Sequence, residues 1–203
     1  MEAKIFIPRN ALALLLTFLL CISNMEISLA DTNTPKNSTE TYTNYLKKAC
    51  NSTLYPQICF ESLSSYTSTI KTNGLKLCTK ALTVTLKAAS NTSRLVKSLP
   101  KEGNLSKAEA GIIKDCIGEM GDSIDMLKKS LKALGSVNGS EIEFQISNIK
   151  TWMSAAMTDE TTCTDRIDER KISDEVTRKI RKTIVNISML TSNALALINK
   201  LLG

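Results

Sequence analysis

Four long stretches of this chain place apolar residues three, four or seven apart, and that spacing constrains the fold more than any other feature. In the first, the stripe is Ile70, Leu77, Ala81, Val84, Ala88, Leu95 and Leu99, stopped by Pro100 with Gly103 nearby. In the second, Ser106 precedes Glu109 by three, a capping-box pattern, and Ile113, Cys116, Met120, Ile124, Leu127, Leu131 and Leu134 follow before Gly135. In the third, Ser140 is the N-cap candidate and Ile142, Ile146, Ile149, Met153 and Ala156 form the stripe. In the fourth, Ser173 precedes Val176, Ile180, Ile187, Leu190, Ala194, Leu197 and Leu201. Residues so spaced share one helix face. No alternating apolar run is long enough to argue for a sheet. Links between the stretches are short apart from Met157–Lys171, and short links join antiparallel neighbours. The expected fold class is all-α, an up-and-down four-helix bundle over 69–203 with a helical hairpin over 41–68. Two short pieces make that hairpin, broken at Tyr55-Pro56 because proline suits only the first turn of a helix.

The first 30 residues read as a secretory leader. Lys4 and Arg9 precede a 12-residue apolar run, Ala11 to Ile22, and Ser28-Leu29-Ala30 gives a small-residue cleavage site. A membrane span needs roughly 20 apolar residues, so this run is too short, and no later stretch is expected to span. Residues 31–40 (DTNTPKNSTE) are polar and aperiodic and read as a flexible N-terminus. The leader's Lys4 and Arg9 balance Glu2 and Glu26, so the mature chain keeps the net charge of +6.

Cleavage would also remove Cys21, leaving Cys50, Cys59, Cys78, Cys116 and Cys163. In an oxidising compartment that suits two disulfides and one thiol. About 15 arrangements are open and spacing does not choose among them. Cys50 and Cys59 lie close enough to staple the hairpin, and antiparallel second and third helices would bring Cys116 and Cys163 to one end. Cys78, beside apolar Leu77, reads as a half-buried free thiol packing as a small hydrophobe. Asn37, Asn51, Asn91, Asn104, Asn138 and Asn186 each head an Asn-x-Ser/Thr sequence, the acceptor for N-glycosylation in a secreted chain.

Composition removes whole classes of chemistry. There is no histidine, so neither a Ser-His-Asp or Cys-His nucleophile nor a His-ligated zinc site can form. Asp159-Glu160 and Asp165, Asp168 and Glu169 contain the carboxylates a pair mechanism would need, but they are expected in a loop and a helix start, where acids act as caps. No cofactor is implied, and the chain is not expected to be an enzyme. The basic residues of the fourth stretch, Arg178, Lys179, Arg181 and Lys182, read as a solvated face. Nucleic-acid binding conflicts with secretion, and a cleaved leader leaves no membrane partner. Trp152, next to core position Met153, reads as a packing residue.

The residues also carry a family pattern. Cys50-Asn-Ser-Thr-Leu-Tyr-Pro-Gln-Ile-Cys59 resembles the C-x-x-T-x-Y-P-x-x-C hairpin of the plant invertase and pectin methylesterase inhibitors. Asp115-Cys116, Ser154-Ala-Ala-Met-Thr158 with Thr162-Cys163-Thr-Asp165, and Thr191-Ser-Asn-Ala-Leu-Ala-Leu-Ile198 are similar to its further motifs, from about Tyr45 to Leu202. The resemblance implies an inhibitor domain over 41–203, catalytically inert and secreted to the plant cell wall; the family's domain also precedes some esterases, and with nothing after residue 203 a free-standing member is expected. It implies the disulfides Cys50–Cys59 and Cys116–Cys163, with Cys78 left over. The uninterrupted C-terminal motif favours the esterase branch, with a 1:1 complex over the enzyme's substrate cleft. Acid invertase is the alternative target, and a non-inhibitory wall-binding protein the second alternative.

Carried over residue by residue, the resemblance places the target interface at Asp122, Asp125, Thr162 and Asp165. The family often has Glu two residues after the third shared cysteine and Tyr four after it. This chain has Gly118 and Met120 there, which implies a lost carboxylate and a lost aromatic anchor. A carboxylate-rich contact implies an affinity that changes between about pH 4.5 and 7. The +6 charge implies weak electrostatic attraction to polygalacturonate, the acidic product of pectin demethylation.

Overall fold

Two of the long bundle helices begin on a side-chain cap, Gly74–Ser98 on Asn73 and Lys107–Leu134 on Ser106. The computed structural model describes residues 34–101, 105–137, 139–169 and 174–202. The leader and residues 31–33 lie outside that range. The chain divides into two units, Met1–Pro35 and Lys36–Gly203, and the bundle belongs to the second.

Helix α1 is Thr34–Cys50, so the polar segment expected to be flexible is helical from Thr34. Pro35 suits a first turn, and the last turns of the same helix bury Leu46, Ala49 and Cys50. Packing at one end holds a helix whose other end carries no apolar stripe. Helix α2, Pro56–Leu63, starts on its proline. Cys50 and Cys59 are bonded, Cα to Cα 5.5 Å, closing the hairpin. Lys47 sits 5.7 Å from the Phe60 ring centroid, a second contact between the two pieces.

A 3-10 turn, Ser64–Tyr66, and the single turn α3, Thr67–Ile70, lead into the bundle. The link is Ile70–Asn73, closed by Asn73 N–H donating to Ile70 O at 3.1 Å. Lys71 has φ 54 and ψ −119, the first central position of a type II′ turn, which glycine normally fills. Asn73 then caps α4, Gly74–Ser98, accepting from the Lys76 N–H at 2.8 Å.

The remaining helices are α5, Lys107–Leu134, α6, Ile142–Glu169, and α7, Asp174–Leu202. The capping box forms as expected: Ser106 Oγ accepts from Glu109 N–H at 3.2 Å, and Glu109 accepts from Ser106 N–H at 2.8 Å. Ser140 does not cap α6. It lies inside a 3-10 turn, Gly139–Glu141, that precedes the helix. Each of α4 to α7 packs against its sequence neighbour, and α4 packs against α7, so the four close into a ring with the hairpin helix α2 laid against α4 and α7. The expected all-α bundle with a stapled hairpin is the observed fold.

Three local expectations change. The stretch Met157–Lys171, read as a long link, is helical to Glu169. Its threonines are weak helix formers, but Thr158, Thr161 and Thr162 each return a hydroxyl to a carbonyl four residues back, at 3.2, 3.1 and 2.8 Å. Glu160, Cys163 and Ile167 meanwhile continue the buried stripe. In α4 the buried line is rotated from the expected one: Leu82, Thr85, Ala89, Thr92, Ser93 and Val96 are buried, while Val84, Ala88 and Leu95 are half-buried. Thr85 can be buried because its hydroxyl donates to Ala81 O at 2.9 Å. Finally, α7 is long and apolar enough by composition to cross a membrane, where no such stretch was expected; 44% of its apolar window is buried in the bundle.

Candidate functional site

The seam between α5 and α6 gathers most of the acidic groups that the family resemblance and the bundle geometry bring into question. Along α5, Asp115, Glu119 and Asp122 follow at four- and three-residue spacing, one helix edge. Along α6, Asp159, Thr162 and Arg166 do the same. Cys116–Cys163, Cα to Cα 4.8 Å, clamps the two helices beneath them. Arg166 spans the seam: Nη1 donates to Asp115 Oδ2 and Nη2 pairs with Glu119 Oε1, both at 3.1 Å. One turn along, Asp159 faces Asp122 and Glu119. Burial raises its pKa, and the charges of Asp122 and Glu119 raise it further. Four carboxylates line this edge and Arg166 pairs with two of them, so the edge is locally acidic on a chain whose net charge is +6.

Of the four expected interface residues, Asp122 lies on the seam itself. Thr162 is half-buried beside it, one turn from Asp159, with its hydroxyl turned back to its own helix. Asp125 and Asp165 are exposed on the outward sides of their helices, Asp125 paired with Lys128 at 3.1 Å. Of the four, only Asp122 and Thr162 are on the seam. Glu119 and Arg166 are not among the expected site residues, and Asp115 and Asp159 enter the sequence reading only as part of a motif and as a rejected carboxylate pair; their three-four spacing on either side of two bonded cysteines was the available signal.

Two departures from the family pattern have different physical meanings. Gly118 is exposed, and a Cβ there would meet nothing within 4 Å. A side chain at 118 would reach outward from the same face. Met120 is fully buried. It serves the core, so the implied loss of an exposed aromatic anchor at this position is corrected: nothing at 120 reaches the surface.

Beneath the seam lies Glu160, fully buried. Expected in a loop, it sits on the inward line of α6. Ser123 of α5 and Thr191 of α7 both donate to its Oε1 at 3.0 Å. Oε2 has no partner in hydrogen-bonding geometry. Ser188, on α7, also favours the charged form of Glu160. Burial wins over these hydrogen bonds and, with the charge of Asp159, pushes the Glu160 pKa up to about 7. A carboxyl with no route to solvent does not act on a substrate, so Asp159-Glu160 is not a catalytic pair. Among the described residues no group of three metal-ligating side chains exists. The face can recognise a partner through polar contacts.

The remaining expected sites divide. Cys78 is free, fully buried rather than half-buried, and its thiol is pushed up to about 12, chiefly by burial. Asn51, Asn91 and Asn186 are exposed. Asn104, Asn138 and the side chain of Asn37 lie outside the described residues. Trp152 is half-buried. Of the basic residues on α7, Lys179 pairs with Glu175 and Arg181 with Asp168.

Comparison with known proteins agrees with this architecture. The sequence pattern described as plant invertase/pectin methylesterase inhibitor matches residues 44–197. The chain is 41% identical to pectinesterase inhibitor 4 of Arabidopsis thaliana over 173 residues, 84% of this chain and 87% of that one. It is 36% identical to pectinesterase inhibitor 9 of the same plant, over 90% of this chain and 92% of that one. In three dimensions it resembles the crystal structure of a mutant form of a pectin methylesterase inhibitor from Arabidopsis, with a TM-score of 0.60, 22% identity, and coverage of 77% of this chain and 96% of that one. That last likeness shows the fold.

Proposed function

This chain belongs to the plant invertase/pectin methylesterase inhibitor family, and from that premise we propose that it is a secreted inhibitor of a plant pectin methylesterase. The family consists of inhibitors rather than catalysts. The observation that carries the esterase reading is the 41% identity, over most of both chains, to a protein named as a pectinesterase inhibitor. The chain acts in the cell wall after loss of residues 1–30. It lays the α5–α6 seam across the enzyme's cleft in a 1:1 complex, with Asp122, Thr162, Asp125 and Asp165 on that face. Supporting this is the acidic edge, which offers acceptors to a partner's hydroxyl, amide and basic groups. Its local sign is opposite to the net charge. Attraction to polygalacturonate acts through other faces, where the chain's net positive charge resides.

The test is a parallel titration of the mature, oxidised protein into a pectin methylesterase and an acid invertase, following both activities at pH 5 and 7. Loss of esterase activity alone, near one-to-one stoichiometry, is the expected result. Loss of invertase activity alone would transfer the chain to the other target. Unchanged activity of both, across several isoforms, would leave a bundle without this inhibitory role.

A further inference from the structure

The ring of helices has two seams on opposite sides, α5–α6 and α4–α7. Along α4–α7 runs an open groove of about 820 Å³. Ala88, Val185 and Met189 give it a mostly carbon floor, and Arg178 and Lys182 stand at its rim. Val185 is among the large apolar side chains left exposed, at 38%.

Two of the six glycosylation sequences meet at this groove. Asn91, on α4, and Asn186, on α7, are both exposed and both line it. They are far apart in sequence, and only the fold brings them to the two walls of one cavity. The sequence motif and the groove are independent observations that point to one ligand chemistry.

We infer that Asn91 and Asn186 carry N-linked glycans whose first sugars lie along the α4–α7 groove. This makes that seam the sugar-covered back of the molecule and leaves α5–α6 bare. In the linkage step the carboxamide nitrogen of asparagine bonds to C1 of the first N-acetylglucosamine of a lipid-linked oligosaccharide. One amide proton is lost and the lipid diphosphate leaves. The transfer acts on the unfolded chain in the secretory pathway, so burial of Ser93 in the finished α4 does not block it. After folding, pyranose C–H faces cover Val185 and Met189, and N-acetyl carbonyls accept from Arg178 and Lys182. Those two cations form no ion pair with any described residue. An oligosaccharide satisfies apolar floor and donor rim together, and needs no partner protein.

The glycan assignment stands apart from the inhibitor reading; only its consequence for the bare face rests on it. The experiment secretes the full chain from a plant host, maps glycopeptides by mass, and removes the glycans from the folded protein enzymatically. An apolar fluorescent dye, anilinonaphthalene sulfonate, then reports the groove. The expected result is occupancy at both Asn91 and Asn186, and a several-fold rise in dye fluorescence on deglycosylation that Val185→Lys abolishes. Either asparagine unoccupied, or a dye signal that ignores deglycosylation, would overturn the proposal. The double variant Asn91→Gln/Asn186→Gln, which alters only exposed side chains, should show the same dye gain without enzyme treatment; an unchanged signal would again overturn it. None of these readouts uses the target enzyme, so a failed inhibition assay does not decide them.

Discussion

Asn193 holds both backbone polar groups of Tyr55 with the two ends of its side-chain amide. Nδ2 donates to Tyr55 O at 2.9 Å and Oδ1 accepts from Tyr55 N–H at 3.0 Å. Tyr55 is the residue before Pro56, where the hairpin turns, and Asn193 is buried in α7. The contact fastens the hairpin to the last bundle helix. Asn193→Ala leaves a backbone N–H and C=O without partners and should cost about 2–4 kcal/mol. Asn193→Asp keeps the acceptor but points a carboxylate at the carbonyl, and should cost at least as much. Urea unfolding of each variant measures this, and a midpoint within error of the parent would show that the contact is not needed.

Glu160 makes stability depend on pH with a definite sign. Its folded pKa is about 7 and its unfolded value 4.5, so the folded state holds a proton that the unfolded state releases. The stabilisation is complete below pH 4.5, falls as pH rises, and is gone just above pH 7. The span is on the order of 3 kcal/mol. Asp159 shifts in the same direction. Unfolding free energies at pH 4.5, 6 and 7.5 should therefore decrease in that order. Glu160→Gln should flatten most of the slope and stabilise the protein at pH 7.5; an unchanged slope in this variant would place the cause elsewhere.

Backbone substitutions should stabilise at positions where the fold has room. A Cβ at Gly118 or Gly121 meets nothing within 4 Å, and both lie inside α5. Ala at either position should add about 0.5–1 kcal/mol. Lys71→Gly relieves a positive φ in the turn before α4 and should add about 1 kcal/mol. Thermal midpoints of the single variants check each value, and a decrease at any site would refute the local geometry.

Replacing the Cys116–Cys163 pair with serines opens a loop with a sequence separation of 47. The chain-entropy estimate is a loss of about 4 kcal/mol. Cutting Cys50–Cys59, separation 9, should cost less, because the shorter loop loses less freedom when closed. Denaturant unfolding of the two double-serine variants gives the order, and the reverse order would mean that strain or residual structure outweighs loop length.

On the proposed target face, Asp122→Arg should weaken inhibition by ten-fold or more, because it reverses a charge at the seam centre. Asp125→Asn and Asp165→Asn, both on outward sides, should each cost about three-fold or less. Inhibition constants against a responsive pectin methylesterase test the ranking. Equal effects at all three would remove the distinction between centre and flank.

The architecture was readable in the sequence because three-four spacing survives wherever a helix buries one edge. Ile113 through Leu134, bounded by Ser106 and Gly135, is the clearest case. Reading failed where side chains satisfied themselves locally. The threonines of 158–164 and Thr85 look like helix breakers in a list of propensities, yet each hydroxyl finds a carbonyl on its own helix. It failed again at α1, where burial of Leu46 and Ala49 supports several polar turns upstream. For the candidate face, Asp122 and Thr162 were reached through a family motif. Arg166 and Glu160 needed the third dimension, since a bridge to Asp115 and a hydroxyl cradle from two other helices leave no mark along a single strand of text.

Cys78 has one more consequence. Thiol–disulfide exchange begins with a thiolate that can reach a sulfur of an existing bond. Cys78 is fully buried, and its thiol is held near 12. In the folded state it has neither the charge nor the access to attack either bridge. The pairing that folding selects is thereby held on the timescale of the native state. Reshuffling must wait for the bundle to open, so the rate at which the core breathes sets how long the two bridges keep their partners.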